Sequence, residues 1–406
     1  MPTVTERSRT LLPADFDPNV LPRSAANYVT ILRIGRDTYA ETGPYIGRLP
    51  LLDGTEMTFA PKVEIQDLGY LILRSEHADR ALLQEFNSNV SVGSALSQLD
   101  SLYSIYATRF LSAVEGIRQL GPLREREEQV HLRGERGRPH IPTYRRNLAK
   151  TLGLRMPTVS VNSRVDNAVN RFARYVCQYL AASTLPQVGL REMAAELATY
   201  LRGHGIGEMS DRDLDEAEHL HATERLPASR PYYHDVLEAG FLILHHVGFN
   251  LHAEKRFETT PFIVNMEKVF EDYIRELVKE AAKSVSSDLA VFPGRADPRN
   301  LYLEGGPLLE PDVLVRRGGA YPVILDVKYK DAIDLGPDDH YQVMAYTNSY
   351  NAVKHTVLVT AYSRESPGLR YTTPRSQHPV TVLPFNLADT RKAEQNLLRK
   401  LNTLLS

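Results

Sequence analysis

Apolar residues recur with two different periods along this chain, and the change of period divides it into three parts. In residues 1–90, short apolar runs alternate with turn signals such as Asp53-Gly54, which predicts a small β-rich unit. In residues 91–250, apolar positions follow helical spacing and predict a helical middle region. In residues 251–406, strand and helix patterns alternate, which is typical of an α/β domain.

The same pattern sets bounds for individual elements. Predicted strands cover residues 28–32, 59–65, 69–73 and 355–361. Predicted helices cover residues 94–120, 166–182, 188–201, 232–247, 262–282, 338–350 and 387–405. Thr260-Pro261 favours a helix start just before residue 262, because a hydroxyl can cap a helix and proline fits its first turn. Residues 203–231 are polar and are interpreted as a connecting or solvated segment.

Composition and charge place the chain among ordinary globular proteins. It has 406 residues, 42% of them apolar and 24% charged, and a net charge of -2, so a nucleic-acid site must be a local basic patch. The single cysteine, Cys177, excludes an internal disulfide and is interpreted as a small buried apolar side chain. No apolar run reaches the ~20 residues that span a bilayer. We therefore expect a cytoplasmic protein without a membrane partner.

One basic patch stands out between residues 122 and 150, where eight basic and four acidic side chains give a local balance of +4. Glycine and proline interrupt this segment, so the pattern predicts a loop. The candidate DNA-binding residues of the loop are Arg133, Arg136, Arg138, Arg145 and Arg146. The alternative is a solvated loop whose charges pair with one another.

The most specific chemistry lies in two short predicted strands joined at Gly318-Gly319. The first carries Asp312, and the second carries Asp326 and Lys328. Residues two apart in a strand point to the same face. A three-residue loop, 318–320, would place Asp312 opposite Asp326 on that face. We therefore expect two carboxylates and an ammonium group to converge.

Two carboxylates that lie close together repel each other unless a cation lies between them. A hard divalent ion with oxygen ligands suits that position, and Mg²⁺ bound by only two carboxylates keeps water molecules that can react. Lys328 would then orient and help to deprotonate a water, or offset charge that builds up on a phosphate. The alternative is a surface hairpin with solvated charges.

Two predicted helices add side chains to this site. Glu271 lies at the border of the apolar stripe of helix 262–282, where its carboxylate could reach the same cation, and Glu267 is a rival one turn earlier. In helix 338–350, Gln342 and Tyr346 lie one turn apart on one face. A glutamine amide and a phenol in this position can orient a water or a nucleic-acid backbone.

In this order, the parts resemble the PD-(D/E)xK nuclease superfamily, in the version that carries a Gln/Tyr helix. More closely, they are similar to the McrC family, the nuclease subunits of McrBC-type modification-dependent restriction systems. The similarity is strong over about residues 255–362 and looser before them. It is carried by Asn265-Met266-Glu267-Lys268-Val269-Phe270-Glu271, Glu310-Pro311-Asp312-Val313, Ile324-Leu325-Asp326-Val327-Lys328-Tyr329-Lys330 and Tyr341-Gln342-Val343-Met344-Ala345-Tyr346.

The resemblance implies a C-terminal restriction-endonuclease-like domain, a mixed sheet flanked by helices, that cuts DNA with one or two Mg²⁺ ions. The metal ligands that it implies are Asp312, Asp326, Glu271 and the main-chain carbonyl of Val327. It assigns Lys328 to water activation or transition-state stabilisation. It assigns Gln342 and Tyr346 to DNA positioning or support of the site.

The resemblance also implies a partner, a separate McrB-type AAA+ GTPase that reads modified cytosine and docks on residues 1–90 of this chain. The chain has no Gly-x-x-x-x-Gly-Lys-Ser/Thr loop, so we expect it to bind no nucleotide itself. Two alternatives are a free-standing nuclease in DNA repair or phage defence, and a non-catalytic adaptor that binds DNA. The four clustered charged residues count against the adaptor, because strongly perturbed charges tend to mark working sites.

Overall fold

The computed structural model describes most of the chain in two compact units. The described residues are 2–63, 65–75, 94–131, 138–151, 156–183, 187–223, 226, 230–246, 262–302, 304–350, 353–362, 369–372 and 379–406. One unit combines the described residues of Met1–Tyr103 with those of Pro261–Ser406, and the other covers those of Ser104–His245. The β-rich N-terminal region and the α/β region at the end of the chain thus fall within the same unit.

The N-terminal region is β-rich, as its alternating pattern predicts. Its strands are β1 (Thr3–Thr5), β2 (Arg9–Leu11), β3 (Val29–Ile34), β4 (Asp37–Thr42), β5 (Tyr45–Pro50) and β6 (Glu56–Ala60). β5 and β6 form an antiparallel hairpin, and Gly54 takes the positive φ of 81° that its turn requires. The turn predicted at Asp53-Gly54 is therefore confirmed.

The strand predicted over residues 69–73 is wrong, because Leu68–Ser75 forms a helix, α1. Residues 68 to 73 are all buried. An apolar run that is buried on every side has no polar positions to reveal its period, so a short helix and a strand cannot be told apart from sequence. The strand predicted over 59–65 is shorter than expected, since β6 ends at Ala60.

The middle of the chain is mostly helical, as predicted. Its helices are α2 (Ala95–Leu120), α3 (Ile141–Thr151), α4 (Ala168–Ala182), α5 (Val188–Gly203), α6 (Asp211–Ala222) and α7 (Tyr232–His246). A small antiparallel sheet accompanies them, made of β7 (Glu125–His131), β8 (Arg138–Pro139) and β9 (Thr158–Arg164). Cys177 of α4 is buried and unpaired, as expected.

Two predictions for the middle region are wrong. The basic segment 122–150 is not one loop, because it contains β7, β8 and most of α3. The polar segment 203–231 is not only a connection, because it contains α6. The side chains of Ser210 and Asp213 cap the start of α6 reciprocally. That Ser-x-x-acid spacing was the available signal for a helix with few apolar residues.

The C-terminal region is built on a six-stranded mixed sheet. Its elements are β10 (Phe262–Asn265), α8 (Met266–Val285), β11 (Leu289–Phe292), β12 (Arg299–Tyr302), β13 (Gly305–Leu309), β14 (Val313–Arg317), β15 (Ala320–Lys328), α9 (Pro337–Ser349), β16 (His355–Tyr362), β17 (Leu369–Thr372), β18 (Pro379–Asn386) and α10 (Thr390–Leu405). The strand order is β11-β14-β15-β16-β18-β17, with β15, β16 and β18 parallel.

Helices pack against this sheet through apolar side chains. Tyr346 of α9 packs in one cluster with Leu314 and Ile324 of the central hairpin. The ring of Phe270 of α8 contacts Phe385 of β18, whereas Val343 of α9 clusters with Val382, three residues earlier in the same strand. Since side chains along a strand alternate between faces, α8 and α9 lie on opposite faces of the sheet. The α/β fold class is confirmed.

The start predicted for the long helix is wrong. Helix α8 begins at Met266, where the side chain of Asn265 accepts a hydrogen bond from the N–H of Lys268 at 3.2 Å. The predicted start at Thr260-Pro261 lies outside the described residues. Phe262–Asn265 instead forms β10, which pairs with β5, so the apolar residues just before the helix belong to a sheet edge.

A buried carboxyl joins the N-terminal region to the central strand. The Glu6 side chain is fully buried, and its Oε1 accepts hydrogen bonds from the N–H of Lys62 at 2.9 Å and the hydroxyl of Tyr329 at 2.9 Å. Burial raises the pKa of Glu6 to about 7, because a charged carboxylate loses its hydration there. Tyr329 directly follows β15, so this contact links the N-terminal region to the central strand of the C-terminal sheet.

Replacing Glu6 with glutamine should flatten the pH dependence of stability. Because the folded pKa of about 7 lies above the ordinary value of 4.5, the protonated carboxyl contributes stability below pH 4.5 that is lost as the pH rises through about 7. At alkaline pH, the free energy of unfolding of Glu6→Gln should therefore exceed that of wild type by up to about 3 kcal/mol. Urea unfolding across this pH range measures the difference. Glu41→Gln, at an exposed position, should follow the wild-type curve, and parallel curves for Glu6→Gln and wild type would contradict the prediction.

Candidate active site

The candidate site depends on the register of the hairpin formed by β14 and β15. Val313 pairs with Leu325 and Val315 with Val323, and continuing this register by one residue sets Asp312 opposite Asp326. The register shifts between Val315 and Arg317, where a bulge adds one residue. Without that bulge Asp312 would face Leu325, on the other side of the sheet. The bulge therefore decides that both acids share one face.

The predicted turn of this hairpin differs from the observed one. Arg317 pairs with Ala320, so the loop is Gly318-Gly319 alone, with Gly318 at a φ of 60°. The prediction of a three-residue loop is wrong, but the register beyond the bulge is the predicted one. A two-residue loop with a one-residue bulge and a three-residue loop without one lead to the same pairing.

Asp326 and Lys328 form an ion pair on one face of β15. The side chain of Asp326 is 1% exposed, and its Oδ2 lies 2.8 Å from the Nζ of Lys328. Burial alone would lower the pKa of Lys328, but the nearby charges of Asp326 and Asp312 raise it above its ordinary value. Lys328 is therefore held as an ammonium ion in this arrangement.

Asp312 lies within electrostatic reach of two other acids. Its Oδ2 accepts a hydrogen bond from the N–H of Val327 at 2.6 Å. Burial raises the pKa of Asp312, and the charges of Asp326 and Glu271 raise it further. Burial also raises the pKa of Asp326. The hairpin register and the ion pair bring Asp312, Asp326 and Lys328 together, and the charge of Glu271 acts on Asp312 from α8.

Glu271 of α8 is held by an arginine on the next turn. The guanidinium of Arg275 pairs with the carboxylates of Glu271 and Asp272, and its Nε also donates to the main-chain oxygen of Asp312 at 3.4 Å. Glu267, the rival acid, instead pairs with Arg7 of the N-terminal region. The geometry therefore favours Glu271 over Glu267 as a member of the site.

Gln342 and Tyr346 share one face of α9, as their spacing indicates. The Nζ of Lys328 donates to Gln342 Oε1 at 2.9 Å, and Gln342 Nε2 donates to the hydroxyl of Tyr346 at 2.6 Å. That hydroxyl points to the main-chain oxygen of Glu310 at 3.5 Å. These hydrogen bonds connect the ammonium group to the strand before Asp312, and they orient the lysine. A role in positioning DNA stays a prediction.

Sequence reasoning missed a second ion pair that holds α9 in place. Lys330 Nζ lies 2.5 Å from Asp339 Oδ2, and the same oxygen accepts the N–H of Gly336 at 2.8 Å, at the start of the helix. The available signal was Asp339 in the first turn of a helix, two residues after its proline, together with a lysine on the same strand face as Lys328.

The donor set suits a hard cation in part. Within the described residues, no three His, Cys, Asp or Glu side chains form a ready-made group of metal ligands. Asp312 and Asp326 supply two carboxylates, one partly and one fully buried, whose mutual repulsion a cation would relieve. Mg²⁺ is commonly bound by one or two carboxylates with water completing its shell. Because Glu271 is paired with Arg275, its role as a ligand stays a prediction.

The basic residues predicted to bind DNA belong to the other unit of the chain. Arg138 lies on β8, and Arg145 and Arg146 lie on α3, all with exposed side chains. Arg133 and Arg136 lie outside the described residues.

None of the described helices is long and apolar enough to cross a bilayer.

Comparisons with known proteins converge on one group. The family model described as McrBC 5-methylcytosine restriction system component matches residues 40–361. A chain of the Thermococcus gammatolerans half-complex of McrB AAA+ hexamers with bound McrC is 16% identical and has a TM-score of 0.59, with 99% of each chain covered. A chain of the cryo-EM structure of the McrBC complex from the same organism is also 16% identical, with 69% of this chain and 87% of that chain covered and a TM-score of 0.39. No curated protein matches the chain. The first structure shows a similar fold over nearly the whole length.

Replacing Asp312 with asparagine should remove the destabilisation that its charged carboxylate causes, and also the stabilisation of the protein by Mg²⁺. Burial and the neighbouring acids raise the pKa of Asp312. The stability that the protonated carboxyl contributes to the folded protein is therefore lost as the pH rises above 3.8, the ordinary pKa of an aspartic acid. At alkaline pH without divalent ions, Asp312→Asn should melt above wild type. Saturating Mg²⁺, at about 100 times its Kd, should stabilise only wild type, by about 2.7 kcal/mol. Thermal melts with and without Mg²⁺ measure both effects.

The control for this experiment is Asp288→Asn, which removes an exposed carboxylate from the same unit. It should melt like wild type under both conditions. Equal stabilisation of wild type and Asp312→Asn by Mg²⁺ would rule out Asp312 as a metal ligand.

Proposed function

This chain belongs to the family of McrBC 5-methylcytosine restriction system components, and from that premise we propose that it is the Mg²⁺-dependent DNA endonuclease subunit of such a system. The family membership confirms the resemblance that its motifs carry. The observation that carries the proposal is the pair of carboxylates of Asp312 and Asp326, the second of them buried, on the same face as the ammonium group of Lys328.

The order of the site elements supports a PD-(D/E)xK nuclease domain. A helix with Glu271 is followed by a strand start with Asp312, a strand with Asp326 and Lys328, and a helix with Gln342. The strand that begins beside Asp312 pairs with the strand that carries Asp326 and Lys328, and a hydrogen bond joins Lys328 to Gln342 of the second helix. This is the arrangement that the superfamily resemblance implies. The non-catalytic adaptor is disfavoured because the complete set of charges is present and Asp326 is buried at a cost.

Each residue has a part in phosphodiester hydrolysis. Asp312 and Asp326, with the carbonyl of Val327, would hold Mg²⁺, which when bound polarises a phosphate oxygen and lowers the pKa of a bound water. Lys328 would offset the charge that develops on the phosphate or help to activate the attacking water. Gln342 fixes the direction of that ammonium group.

A motor partner completes the proposal. In the similar solved assembly, McrC is bound to McrB AAA+ hexamers. By analogy, this chain would dock on an McrB-like AAA+ GTPase through residues 1–90 and stimulate its GTP hydrolysis in the cytoplasm, with methylated DNA as the substrate. The exposed arginines on β8 and α3 are candidates for contacts with the DNA backbone.

Removal of either central charge should abolish cutting but leave the motor intact. Asp326→Ala removes a metal ligand, and Lys328→Ala removes the group that offsets charge in the transition state. We expect each variant to cleave methylated plasmid at least about 100-fold more slowly than wild type in the presence of the GTPase partner. GTP hydrolysis by the partner should still be stimulated, since neither residue lies in the N-terminal region.

Lys354→Ala is the matched control, because this exposed lysine precedes β16 at the opposite end of the central strands. It should cleave at the wild-type rate. Wild-type cleavage by both Asp326→Ala and Lys328→Ala would remove the assignment. Cleavage by the purified chain without a partner would instead favour a free-standing nuclease.

A further inference from the structure

A glycine turn is packed directly against the strand that leads to Asp312. The N–H of Gly294 donates to the main-chain oxygen of Pro311 at 2.8 Å. A Cβ atom at Gly294 would lie 2.1 Å from that oxygen, so only glycine permits this approach. The contact fixes Arg295, the next residue, beside the residue pair Pro311-Asp312.

Arg295 and Lys268 are exposed cations at the rim of the acid cluster. Lys268 lies three residues before Glu271 in α8, and residues with this spacing are neighbours on a helix surface. In the part of the chain that the structure describes, neither cation forms an ion pair.

The other cations around the site are already paired with carboxylates. Arg275 is paired with Glu271 and Asp272. Lys328 is paired with Asp326, and Lys330 with Asp339. Arg7, near the start of α8, is paired with Glu267. Arg295 and Lys268 thus differ from their neighbours, because their charged groups are still available to an anion from outside the protein.

We propose that Arg295 and Lys268 form a phosphate-binding subsite, which holds a phosphodiester of the nucleic-acid backbone next to the one at the acid cluster. This inference rests on the proposed function, because it assumes a nucleic-acid strand at Asp312 and Asp326. Three acids repel a polyanion, so the strand needs cationic contacts beside the site. A guanidinium can hold two phosphate oxygens at once, whereas an ammonium group adds a point charge.

The alternative is that both cations only offset the charge of the acids. In that case their removal would weaken Mg²⁺ binding or shift its pH dependence but would not change how binding of DNA responds to salt. A phosphate contact behaves differently, because each neutralised phosphate releases counterions and adds about 0.9 to the slope of log K against log salt. The salt slope therefore separates the two roles.

The experiment measures binding of the full-length chain to a fluorescent DNA duplex over a range of salt, with Ca²⁺ replacing Mg²⁺ to hold back cleavage. The double variant should lower the slope by about 0.9, because one phosphate loses its contacts, and Arg295→Gln and Lys268→Gln should each lower it by part of that amount. Gly294→Ala should act like Arg295→Gln, because it displaces the turn without removing a charge. In cleavage assays with the partner, Arg295→Gln should raise KM more than it lowers kcat.

Arg399→Gln is the matched control, since Arg399 is an exposed arginine on α10 of the same unit. It should keep the wild-type slope. An unchanged slope in the double variant, an equal drop in the control, or a wild-type chain that binds no duplex would each overturn the subsite.

The outcomes also separate this inference from the nuclease assignment. If Asp326→Ala abolishes cleavage while the double variant binds and cuts like wild type, only the subsite fails. If the double variant loses salt-dependent binding but wild type shows no metal-dependent cleavage with its partner, the subsite stands and the nuclease assignment fails.

Discussion

The candidate site contains two carboxylates that repel each other, one of them partly and the other fully buried. Asp312 and Asp326 lie on one face of a hairpin, and their burial and proximity raise the pKa of Asp312. Such a pair is costly unless positive charge compensates it. Lys328 supplies part of that charge, and a divalent ion would supply more. Much of the surrounding architecture positions cations and hydrogen-bond donors around these acids.

The compensating groups come from different elements of the fold. Arg275 reaches from α8 to both Glu271 and the main chain of Asp312, and Gln342 reaches from α9 to Lys328. The Lys330–Asp339 ion pair holds the start of α9 against the end of β15. These contacts limit the freedom of the charged side chains before any ligand binds. Such preorganisation is what electrostatic catalysis requires.

The N-terminal region is part of the same arrangement. β10 pairs with β5 just before α8 begins, and Glu6 accepts a hydrogen bond from Tyr329 just after β15 ends. A region proposed to dock on a motor is therefore connected through main-chain pairing to the helix with Glu271, and through one buried carboxyl to the strand with Lys328.

The sequence by itself determined the chemistry and the order of the elements. Apolar periodicity located most long helices and the hairpin, and the residue types at positions 312, 326 and 328 indicated a site for a cation, because these side chains keep their acid and base character in any fold. The sequence did not predict the type of element where periodicity carried no information, as in the buried α1 and the polar α6. It also did not do so before α8, where an apolar run suited either a helix or a strand. Only the tertiary structure decided that Glu267 pairs with Arg7 while Glu271 approaches Asp312, and which cations form no ion pair within the described residues. Those outcomes depend on contacts between residues far apart in the chain, such as Arg7 with Glu267 and Gly294 with Pro311, and no local pattern specifies them.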